Sequence, residues 1–579
     1  KNAIVDAALD VGGTALASAL TGALSLARGL VKDGLPEKLE RAVAQTETAL
    51  RSLVDTDPAD RAWATSPPFF GDDVRFSQRN LRVLQARAAT PGHARADWKA
   101  LLLDEHLPAL EQRRAARTSA EQLAPREAYD SIPHLLVEAA ARRGTRPALS
   151  LISGDDVVDI SYRELLARAQ AAALRLRRAG VAPGDRVIVS GANHPSWSIC
   201  AFGVMFARAV AVPLDPGLEP DAVARITRKA RPRLAVVDKG QRDKWRDVLV
   251  EPVLDLHLLA AQASTSDELL EALPDASDTA SILFTSGTTG EPKGVELTHG
   301  NFTSLLASLQ AIFPVGRGDR LLSVLPLHHT FEFSGGLLMP LAAGAHIYTP
   351  DALTGERVLY ALKTGRITAM VGVPALWQLL ERRIQKQASE RGDVVKAILD
   401  AALAANRALG KKTGLSFGKI ALKPIHDELG GHLQTLISGG SALPPSVHQL
   451  FQGLGLPLAE GYGLTEAAPV LTVAEGVHGA VAGTVGRPIP GVELKIVDAG
   501  DGAAAPGSGE IWARAPNVMK GYFEDPAATT AVLQEGWLRT GDIGKIDDDG
   551  RLHILGRSKD VVVTSTGENV YLDDTERRL

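Results

Sequence analysis

The chain has 579 residues, of which 45% are hydrophobic and 23% are charged, and this balance is typical of a soluble globular enzyme with more than one domain. Its formal net charge of −5 gives no support for nucleic-acid binding, so we expect no nucleic acid among its partners. The single cysteine, Cys200, excludes an internal disulfide, agrees with a reducing cytoplasm, and lies in an apolar run that predicts a core position.

Residues 1–127 are rich in Ala, Leu and Arg at helical spacing. Leu35, Leu39, Val43 and Leu50 lie near one face of such a helix. We interpret this region as a helical N-terminal extension. Two roles stay open for it: a packing appendage, or a surface that contacts a membrane or a partner protein.

From about residue 128 the pattern changes to short apolar strands that alternate with amphipathic helices. Residues 162–179 have the spacing of a helix, and residues 186–189 that of a buried strand. Alternation of this kind predicts an α/β fold, with parallel sheets covered by helices.

A run of small residues follows the apolar strand at residues 282–284, and it reads TSGTTG from Thr285 to Gly290. Exposed backbone N–H groups and hydroxyls in such a loop form a concave donor surface that suits phosphate, and Lys293 adds a positive charge. Pro292 and Gly294 flank this lysine, which excludes the Walker A phosphate loop. The loop is then expected to lead from this strand into a helix that Thr298 caps.

The stretch LPLHHTFEF places His329 at a candidate position, although a lone histidine is more often a satisfied core residue. Residues 378–430 then form a charged stretch with helical spacing and a basic end. A solvated helical face is one reading of this insertion, and contact with an anionic membrane surface is the other.

Two glycine-rich turns follow apolar strands further along the chain. Gly439, Gly440 and Ser441 come after the strand at 435–437, and the run EGYGLTE begins at Glu460. Ligands favour the carboxyl ends of parallel strands, so both turns are candidate binding positions. The last carboxylate of the second run, Glu466, suits a hard cation such as Mg²⁺.

Past residue 489 short alternating strands separated by Gly and Pro turns predict a small antiparallel β-subdomain. The subdomain contains Asp542. This residue is a candidate binding residue, because one carboxylate can accept hydrogen bonds from two vicinal hydroxyls. The guanidinium group of Arg557 offers five hydrogen-bond donors in a fixed geometry, which makes it a further candidate binding residue. Lys559 lies two residues further along the chain.

Together these motifs resemble those of the acyl-adenylate-forming enzymes, which include acyl-CoA synthetases, luciferases and peptide-synthetase adenylation domains. The resemblance covers residues 128–579. It implies that the loop binds the phosphates of ATP through Thr285, Ser286, Gly287, Thr288, Thr289, Gly290 and Lys293. For the rest of the nucleotide it implies contacts by Gly439, Gly440, Ser441, Glu460, Gly461, Tyr462, Gly463, Asp542 and Arg557.

The same resemblance assigns roles in the reaction. It implies that Glu466 holds Mg²⁺, that Thr465 lies near the α-phosphate, and that His329 lies beside the acyl carboxylate. Lys559 takes the position of the hinge about which a C-terminal lid rotates. No Asp stands near His329 for a substrate ammonium, which argues against an amino-acid substrate.

The insertion at 378–430 and the run HDELGGHL from His426 are most similar to long-chain fatty acyl-CoA synthetases. The implied reaction activates a fatty acid with ATP to acyl-AMP and pyrophosphate, and then transfers the acyl group to CoA. Alternatives are a ligase that loads an acyl carrier protein, and a lidless protein that binds ATP or acyl-adenylate without turnover. We expect a cytoplasmic protein, with peripheral contact at the inner membrane surface as an alternative.

These patterns predict three regions: the extension at 1–127, a core at 128–557 that contains the insertion 378–430 and the β-subdomain 489–557, and a hinge with the start of a lid at 558–579. The family's lid continues well past the equivalent of Leu579 and supplies a lysine for adenylation. Adenylation by the chain as it stands is therefore an open question from the sequence.

Overall fold

A computed structural model of the chain describes residues 129–285, 291–390, 392–413, 418–456, 458–474, 481–498, 507–557, 561–563 and 569–571. The predicted N-terminal extension, residues 286–290 of the loop and Lys559 lie outside these described residues. No helix among the described stretches is both long enough and apolar enough to cross a bilayer.

The helices alternate with strands through most of the described chain, as the sequence predicts. They are α1 (Ile132–Arg143), α2 (Tyr162–Arg178), α3 (Pro195–Phe206), α4 (Pro220–Ala230), α5 (Lys239–Lys244), α6 (Leu256–Ala260), α7 (Asp267–Glu271), α8 (His299–Ile312), a π-helix (Glu332–Leu338), α9 (Met339–Ala343), α10 (Gly355–Thr364), α11 (Pro374–Glu390), α12 (Asp393–Thr413), α13 (Gly418–Ala421), α14 (Lys423–Glu428), α15 (Pro445–Leu454), a 3₁₀ turn (Thr465–Ala467) and α16 (Pro526–Val532).

A nine-stranded sheet and a seven-stranded sheet form the body of the fold. The strands are β1 (Pro147–Ser153), β2 (Asp156–Ser161), β3 (Arg186–Ser190), β4 (Val210–Pro213), β5 (Leu234–Val237), β6 (Val253–Asp255), β7 (Thr279–Thr285), β8 (Lys293–Thr298), β9 (Arg320–Leu322), β10 (His346–Pro350), β11 (Ala369–Gly372), β12 (Thr435–Ser438), β13 (Leu458–Tyr462), β14 (Thr472–Val473), β15 (Arg487–Pro488), β16 (Glu493–Val497), β17 (Gly509–Arg514), β18 (Gly521–Tyr522), β19 (Leu533–Gln534), β20 (Trp537–Ile546), β21 (Leu552–Arg557), β22 (Val561–Val563) and β23 (Asn569–Tyr571).

The order of the larger sheet is β15-β14-β13-β12-β11-β9-β10-β1-β2. Its central strands β1, β10, β9, β11, β12 and β13 are parallel to one another, whereas β2 and β14 are antiparallel to the strands they join. The second sheet runs β18-β8-β7-β4-β3-β5-β6. A smaller antiparallel sheet holds β16, β17, β20, β19 and β21. The predicted α/β fold of parallel sheets covered by helices is confirmed.

Helices α1, α2, α3 and α8 pack between the two large sheets. On β3, Val187 and Val189 belong to the core shared with these helices, whereas Ile188 packs on the opposite face against α4. Successive side chains of a strand point to opposite faces, so a sheet that is buried on both faces needs a continuous apolar run. The same core buries Cys200, as the sequence predicts.

The predicted helix at 162–179 is confirmed as α2, and its ends show why it forms. The Ser161 hydroxyl accepts a hydrogen bond from the backbone N–H of Glu164, which satisfies one of the free donors of the first turn. The carboxylate of Glu164 in the first turn and the basic Arg175, Arg177 and Arg178 in the last turn complement the helix dipole. The described parts of the insertion at 378–430 are likewise helical.

One local expectation needs correction. The glycine-rich loop after β7 does not lead directly into a helix, because β8 lies between them and pairs antiparallel with β7, from Thr285↔Lys293 to Thr279↔Thr298. The loop therefore joins the two strands of a hairpin. Thr298 caps α8 as predicted, in a capping box with Asn301.

Asn301 also connects α8 to the segment that precedes β18. Its Oδ1 accepts from the Thr298 backbone N–H at 2.9 Å, and its Nδ2 donates to the carbonyls of Pro516 and Val518, each at 2.8 Å. The residue is only 8% exposed, so water does not readily replace these partners. One side chain thus closes a helix end and holds a distant segment of chain.

We expect Asn301→Ala to lower the free energy of unfolding by roughly 2–3 kcal/mol, because one of the two hydrogen bonds of the capping box and two carbonyl contacts are lost together. Thr354→Ala is a matched control, since Thr354 caps α10 and accepts from the Arg357 backbone N–H without a tie to another segment. It should cost about 1 kcal/mol. Urea denaturation of both variants measures the difference, and equal losses would contradict the tie between α8 and the segment before β18.

Candidate active site

A cavity of about 420 Å³ lies along one face of the nine-stranded sheet. Two neighbouring strands and their ends line it, with Ala369, Met370, Val371 and Val373 on one side and Thr435, Ile437 and Gly439 on the other. Residues at i, i+2 and i+4 share a face of a strand, so the cavity follows β11 and β12 along their length. At about 3.3 Å per residue this path is roughly 13 Å long.

The two ends of this path differ in chemistry. At the carboxyl ends of the strands the cavity is lined by glycines of two turns, Gly439, Gly440, Gly461 and Gly463, and by the polar residues His329, Thr330 and Thr465. Toward the other end the lining is mostly apolar. It includes Leu309, Phe313, Val315, Leu321, Met339 and Ala369, together with Thr435 opposite Ala369. The predicted glycine turns meet here because β12 and β13 are parallel, and their carboxyl ends share one edge.

Gly463 shows why the turn after β13 needs glycine. A Cβ atom at this position would collide with the backbone carbonyl oxygen of Pro469. The chain returns at this point so that Leu471 N–H donates to the Tyr462 carbonyl at 2.9 Å. Any larger residue would push the two strands of this turn apart.

Tyr462, Asp542 and Arg557, all predicted nucleotide contacts, form one connected group. The Tyr462 hydroxyl donates to Asp542 Oδ2 at 2.6 Å, and Arg557 Nε lies 3.4 Å from Asp542 Oδ1. Asp542 and Arg557 face each other in the register of β20 and β21. Burial, and next the Asp542 carboxylate, raise the pKa of Tyr462 well above its usual value, so its hydroxyl remains a donor.

Glu466 and Lys293 come together although they belong to different parts of the fold. Glu466 lies in the 3₁₀ turn after β13, and its Oε1 accepts from the Tyr522 hydroxyl at 2.8 Å. Lys293 begins β8, and its Nζ lies 5.1 Å from the centre of the same tyrosine ring. The carboxylate and the ammonium group therefore share one aromatic neighbour: the carboxylate contacts its hydroxyl, and the ammonium group lies near its ring.

His329 lines the cavity and lies beside a second histidine, with the ring centres of His328 and His329 4.3 Å apart. Burial lowers the pKa of His329, although the nearby Asp215 raises it. Burial lowers the pKa of His328 to about 4. Both rings are therefore neutral at neutral pH, and they offer hydrogen bonds without a positive charge.

Other predicted residues do not line the cavity. Glu460 is buried and its Oε1 accepts from the Leu443 backbone N–H at 2.9 Å, so it supports the turn that carries Gly439 and Gly440. Ser441 lies on that turn but is absent from the described lining. Thr285 is the last residue of β7 and pairs with Lys293, while Ser286, Gly287, Thr288, Thr289, Gly290 and Lys559 lie outside the described residues.

The sequence predictions missed Glu332, which begins the π-helix and lines the cavity. It is fully buried, and neither carboxyl oxygen forms a hydrogen bond with any described residue. Burial raises its pKa to about 8, although the nearby Ser323 hydroxyl and Leu325 backbone lower it. Gly336, one turn on, leaves room for the carboxyl group, because a Cβ there would overlap it.

Tyr522 was also missed. No local pattern identifies it, because its meaning depends on the pairing of β18 with β8, a contact between segments more than 200 residues apart. A weak signal for Glu332 did exist: a carboxylate inside an apolar run next to a candidate histidine. Buried carboxyl groups are rare, so that pattern favours a special environment.

The described residues contain no cluster of three or more His, Cys, Asp or Glu side chains that could bind a metal by themselves. A single carboxylate such as Glu466 supplies a suitable oxygen for Mg²⁺, but the other coordinating oxygens would have to come from a bound ligand and water. Mg²⁺ in proteins commonly binds one or two carboxylates together with substrate phosphates and water.

Known proteins are similar to this chain over most of the described region. A family model described as AMP-binding enzyme matches residues 136–523. The long-chain-fatty-acid–CoA ligase FadD15 of Mycobacterium bovis is 29% identical over 447 residues, which are 71% of this chain and 72% of the relative. A feruloyl-CoA synthase of an Amycolatopsis species is 30% identical over 435 residues, covering 72% of this chain and 78% of the synthase.

The chloroplastic long-chain-fatty-acid–acyl-carrier-protein ligase AEE15 of Arabidopsis thaliana is 28% identical over 530 residues, 76% of this chain and 72% of the relative. Among solved structures, apo MatB from Rhodopseudomonas palustris has a TM-score of 0.61 at 27% identity. That match covers 77% of this chain and 82% of MatB.

Glu332 should make stability depend on pH. The folded chain keeps its proton up to about pH 8, whereas an ordinary glutamate loses its proton near 4.5, so folding takes up a proton between these values. The free energy of unfolding should then fall as pH rises from about 5 to 8, by at most about 1.4 kcal/mol per pH unit for one group. Urea denaturation of the wild type and Glu332→Gln across this range measures the effect.

The Gln variant should lose less stability between pH 5 and 8 than the wild type. Glu164→Gln is the control, since Glu164 is a solvent-accessible residue of α2 paired with Arg168. It should leave the pH dependence unchanged. Parallel curves for wild type and Glu332→Gln would show that the carboxyl group is already ionised in the folded chain.

Proposed function

Because the chain belongs to the AMP-binding enzyme family, we propose that it activates a carboxylic acid with ATP and transfers the acyl group to a thiol. Acyl-CoA ligases of this family use ATP, Mg²⁺ and CoA. The substrate carboxylate would attack the α-phosphorus of ATP, forming acyl-AMP as the bond to pyrophosphate breaks. The thiol of CoA would then attack the acyl carbon, forming the thioester and releasing AMP.

The finer proposal is that the acid is a long-chain fatty acid. One observation carries it: the cavity continues from the glycine turns along β11 and β12 into an apolar region about as long as the strands themselves. An apolar path with polar groups at one end suits a molecule with a carboxylate head and a long hydrocarbon tail. The similarity to FadD15 supports the same substrate class.

The carboxyl group in the lining also favours an uncharged tail. Glu332 is the acidic residue among the described lining residues, and its raised pKa keeps it protonated at neutral pH. A protonated carboxyl group is a poor partner for a substrate ammonium group, which agrees with the sequence argument against an amino acid. The neutral His329 would donate a hydrogen bond to the substrate carboxylate without pairing its charge, so the carboxylate would stay nucleophilic.

For the nucleotide, we propose that the turns at Gly439–Gly440 and Gly461–Gly463 take the adenine end. Their missing side chains leave backbone N–H and C=O groups accessible at the cavity wall. Asp542 would accept from the ribose hydroxyls, which requires the Tyr462 hydroxyl to share or leave that carboxylate. Arg557, 71% exposed, would add donors from the solvent side.

Lys293, Thr465 and residues 285–290 would contact the phosphates. Glu466 would hold Mg²⁺ through the carboxylate oxygen that does not accept from Tyr522. When bound, Mg²⁺ supplies charge neutralisation for the polyphosphate and keeps it aligned for attack. We propose residues 128–557 as the catalytic core and Lys559 as the hinge of a lid that moves between the two half-reactions.

An acyl carrier protein is the second candidate acceptor, because AEE15 is similar over 76% of this chain and is named for that acceptor. Both acceptors end in a thiol, so the activation step is the same. A comparison of CoA with a holo acyl carrier protein in a thioester assay, with the same fatty acid, decides between them. Thioester formed on CoA alone supports the first acceptor, and thioester on the carrier protein alone supports the second.

The main test is ATP–pyrophosphate exchange with saturated fatty acids of increasing length and with ferulate. Exchange should rise with chain length and exceed that with ferulate, because each buried methylene adds contacts in the apolar path. Glu466→Gln should abolish most exchange with every acid. Exchange that peaks with ferulate would contradict the fatty-acid proposal and would support an aryl acid instead.

Ala369→Leu sharpens this test, because Ala369 lines the cavity at the start of β11, far from Gly439. The larger side chain should shorten the path and reduce exchange with the longest acids roughly tenfold or more, with little effect on short ones. Ala345→Leu is the matched control, since Ala345 packs in the same small cluster but does not line the cavity. An equal loss at all lengths would mean that the acyl chain does not follow β11.

A further inference from the structure

Tyr522 lies where the hairpin of β7 and β8 meets the turn that carries Glu466. β18 pairs antiparallel with β8, with Gly521 opposite Glu296 and Tyr522 opposite Val295. This register places Tyr522 two residues along β8 from Lys293. The backbone extends the pairing, since Phe523 N–H donates to the Gly294 carbonyl at 2.7 Å.

Both neighbours of the tyrosine are charged. Its hydroxyl donates to Glu466 Oε1 at 2.8 Å, and Lys293 Nζ lies 5.1 Å from the ring centre, within the range of a cation–π contact. In this pair the hydroxyl is the donor, because an ionised carboxylate can only accept hydrogen bonds.

The same segment also fixes the backbone of the turn. Met519 N–H donates to the Glu466 carbonyl at 2.7 Å, and the Asn517 side chain donates to the Val470 carbonyl at 2.9 Å. The position of Glu466 is thus determined by its own backbone and by one side-chain hydrogen bond. The backbone bonds set where the residue lies, and the Tyr522 bond sets where its carboxylate points.

We propose that Tyr522 is a positioning residue for the metal–nucleotide site: its hydroxyl orients the Glu466 carboxylate toward the cation and its ring holds the Lys293 ammonium group beside the phosphates. This inference rests on the proposed function, in which Glu466 holds Mg²⁺. By occupying one carboxylate oxygen, the hydroxyl leaves the other free for the metal. Hydrogen-bond partners that orient metal ligands typically change metal affinity or activity 10–100-fold when removed.

Tyr522→Phe tests the hydroxyl alone, because the ring and its contact with Lys293 remain. Tyr360→Phe is a close match as a control. The Tyr360 hydroxyl donates to the Asp155 carboxylate at 3.3 Å, and the Arg357 guanidinium lies 4.8 Å from the Tyr360 ring centre. Tyr360, on α10, thus has the same two kinds of contact as Tyr522: a carboxylate at its hydroxyl and a cation near its ring. Tyr360 does not line the cavity.

The probe is Mn²⁺, which binds the same oxygen donors as Mg²⁺ and is paramagnetic. Free Mn²⁺ is measured by electron paramagnetic resonance while the metal is titrated into protein saturated with α,β-methylene-ATP, which does not react. Tyr522→Phe should weaken Mn²⁺ binding by roughly 10–100-fold, whereas Tyr360→Phe should leave it unchanged. The melting temperature of Tyr522→Phe should stay close to that of the wild type, which separates positioning from general loss of structure.

Glu466→Gln, measured in the same way, distinguishes a failure of the positioning role of Tyr522 from a failure of the proposed role of Glu466. If Glu466→Gln loses Mn²⁺ affinity and Tyr522→Phe keeps it, the positioning role is wrong and the proposed function stands. If the wild type does not bind Mn²⁺ with the nucleotide analogue, or Glu466→Gln binds it equally well, the proposed role of Glu466 fails and the inference about Tyr522 fails with it.

Discussion

The antiparallel pairing of β18 with β8 is the contact on which the candidate active site depends. β18 comes from the chain between β17 and the strands that complete the small antiparallel sheet, yet it adds to the edge of a large sheet. Lys520 reinforces the pairing, with its backbone N–H on the Glu296 carbonyl and its ammonium group 2.7 Å from the Glu296 carboxylate. Through this edge the segment reaches both the β7–β8 hairpin and the turn of Glu466. The two halves of the site are therefore held by residues 519–523, a short segment that contains the two-residue strand β18.

Burial decides which groups around the cavity carry charge. It lowers the pKa of His329 and raises that of Glu332, so two titratable residues in the lining are neutral at the same pH. The charged groups, Lys293, Glu466 and Arg557, lie on the hairpin, on the turn after β13 and on β21. A neutral and mostly apolar lining suits an apolar part of a ligand. Among the described residues, no Lys or Arg side chain lines the cavity.

The sequence predicts those parts of the site that depend on local pattern. An apolar strand followed by glycines places Gly439 and Gly463 at the carboxyl ends of β12 and β13, and parallel order then brings them together. Distant pairings are not visible in this way: β8 was not expected between the loop and α8, and Tyr522 gained its partners only through β18. Glu332 was missed because an acidic residue at that position looks polar in the sequence, whereas the fold buries it fully and changes its protonation.

The double role of Asn301 limits how this position can vary. Acidic residues suit the first turn of a helix, because the free N–H groups and the helix dipole favour negative charge there. At Asn301, however, both side-chain N–H groups face carbonyl oxygens, so an aspartate would bring a carboxylate oxygen against two acceptors. Asn and Asp codons differ by one base, and the easiest substitution by mutation is therefore one that the packing opposes. Selection should therefore retain asparagine at position 301 and remove aspartate, even though an aspartate would suit the first turn of the helix.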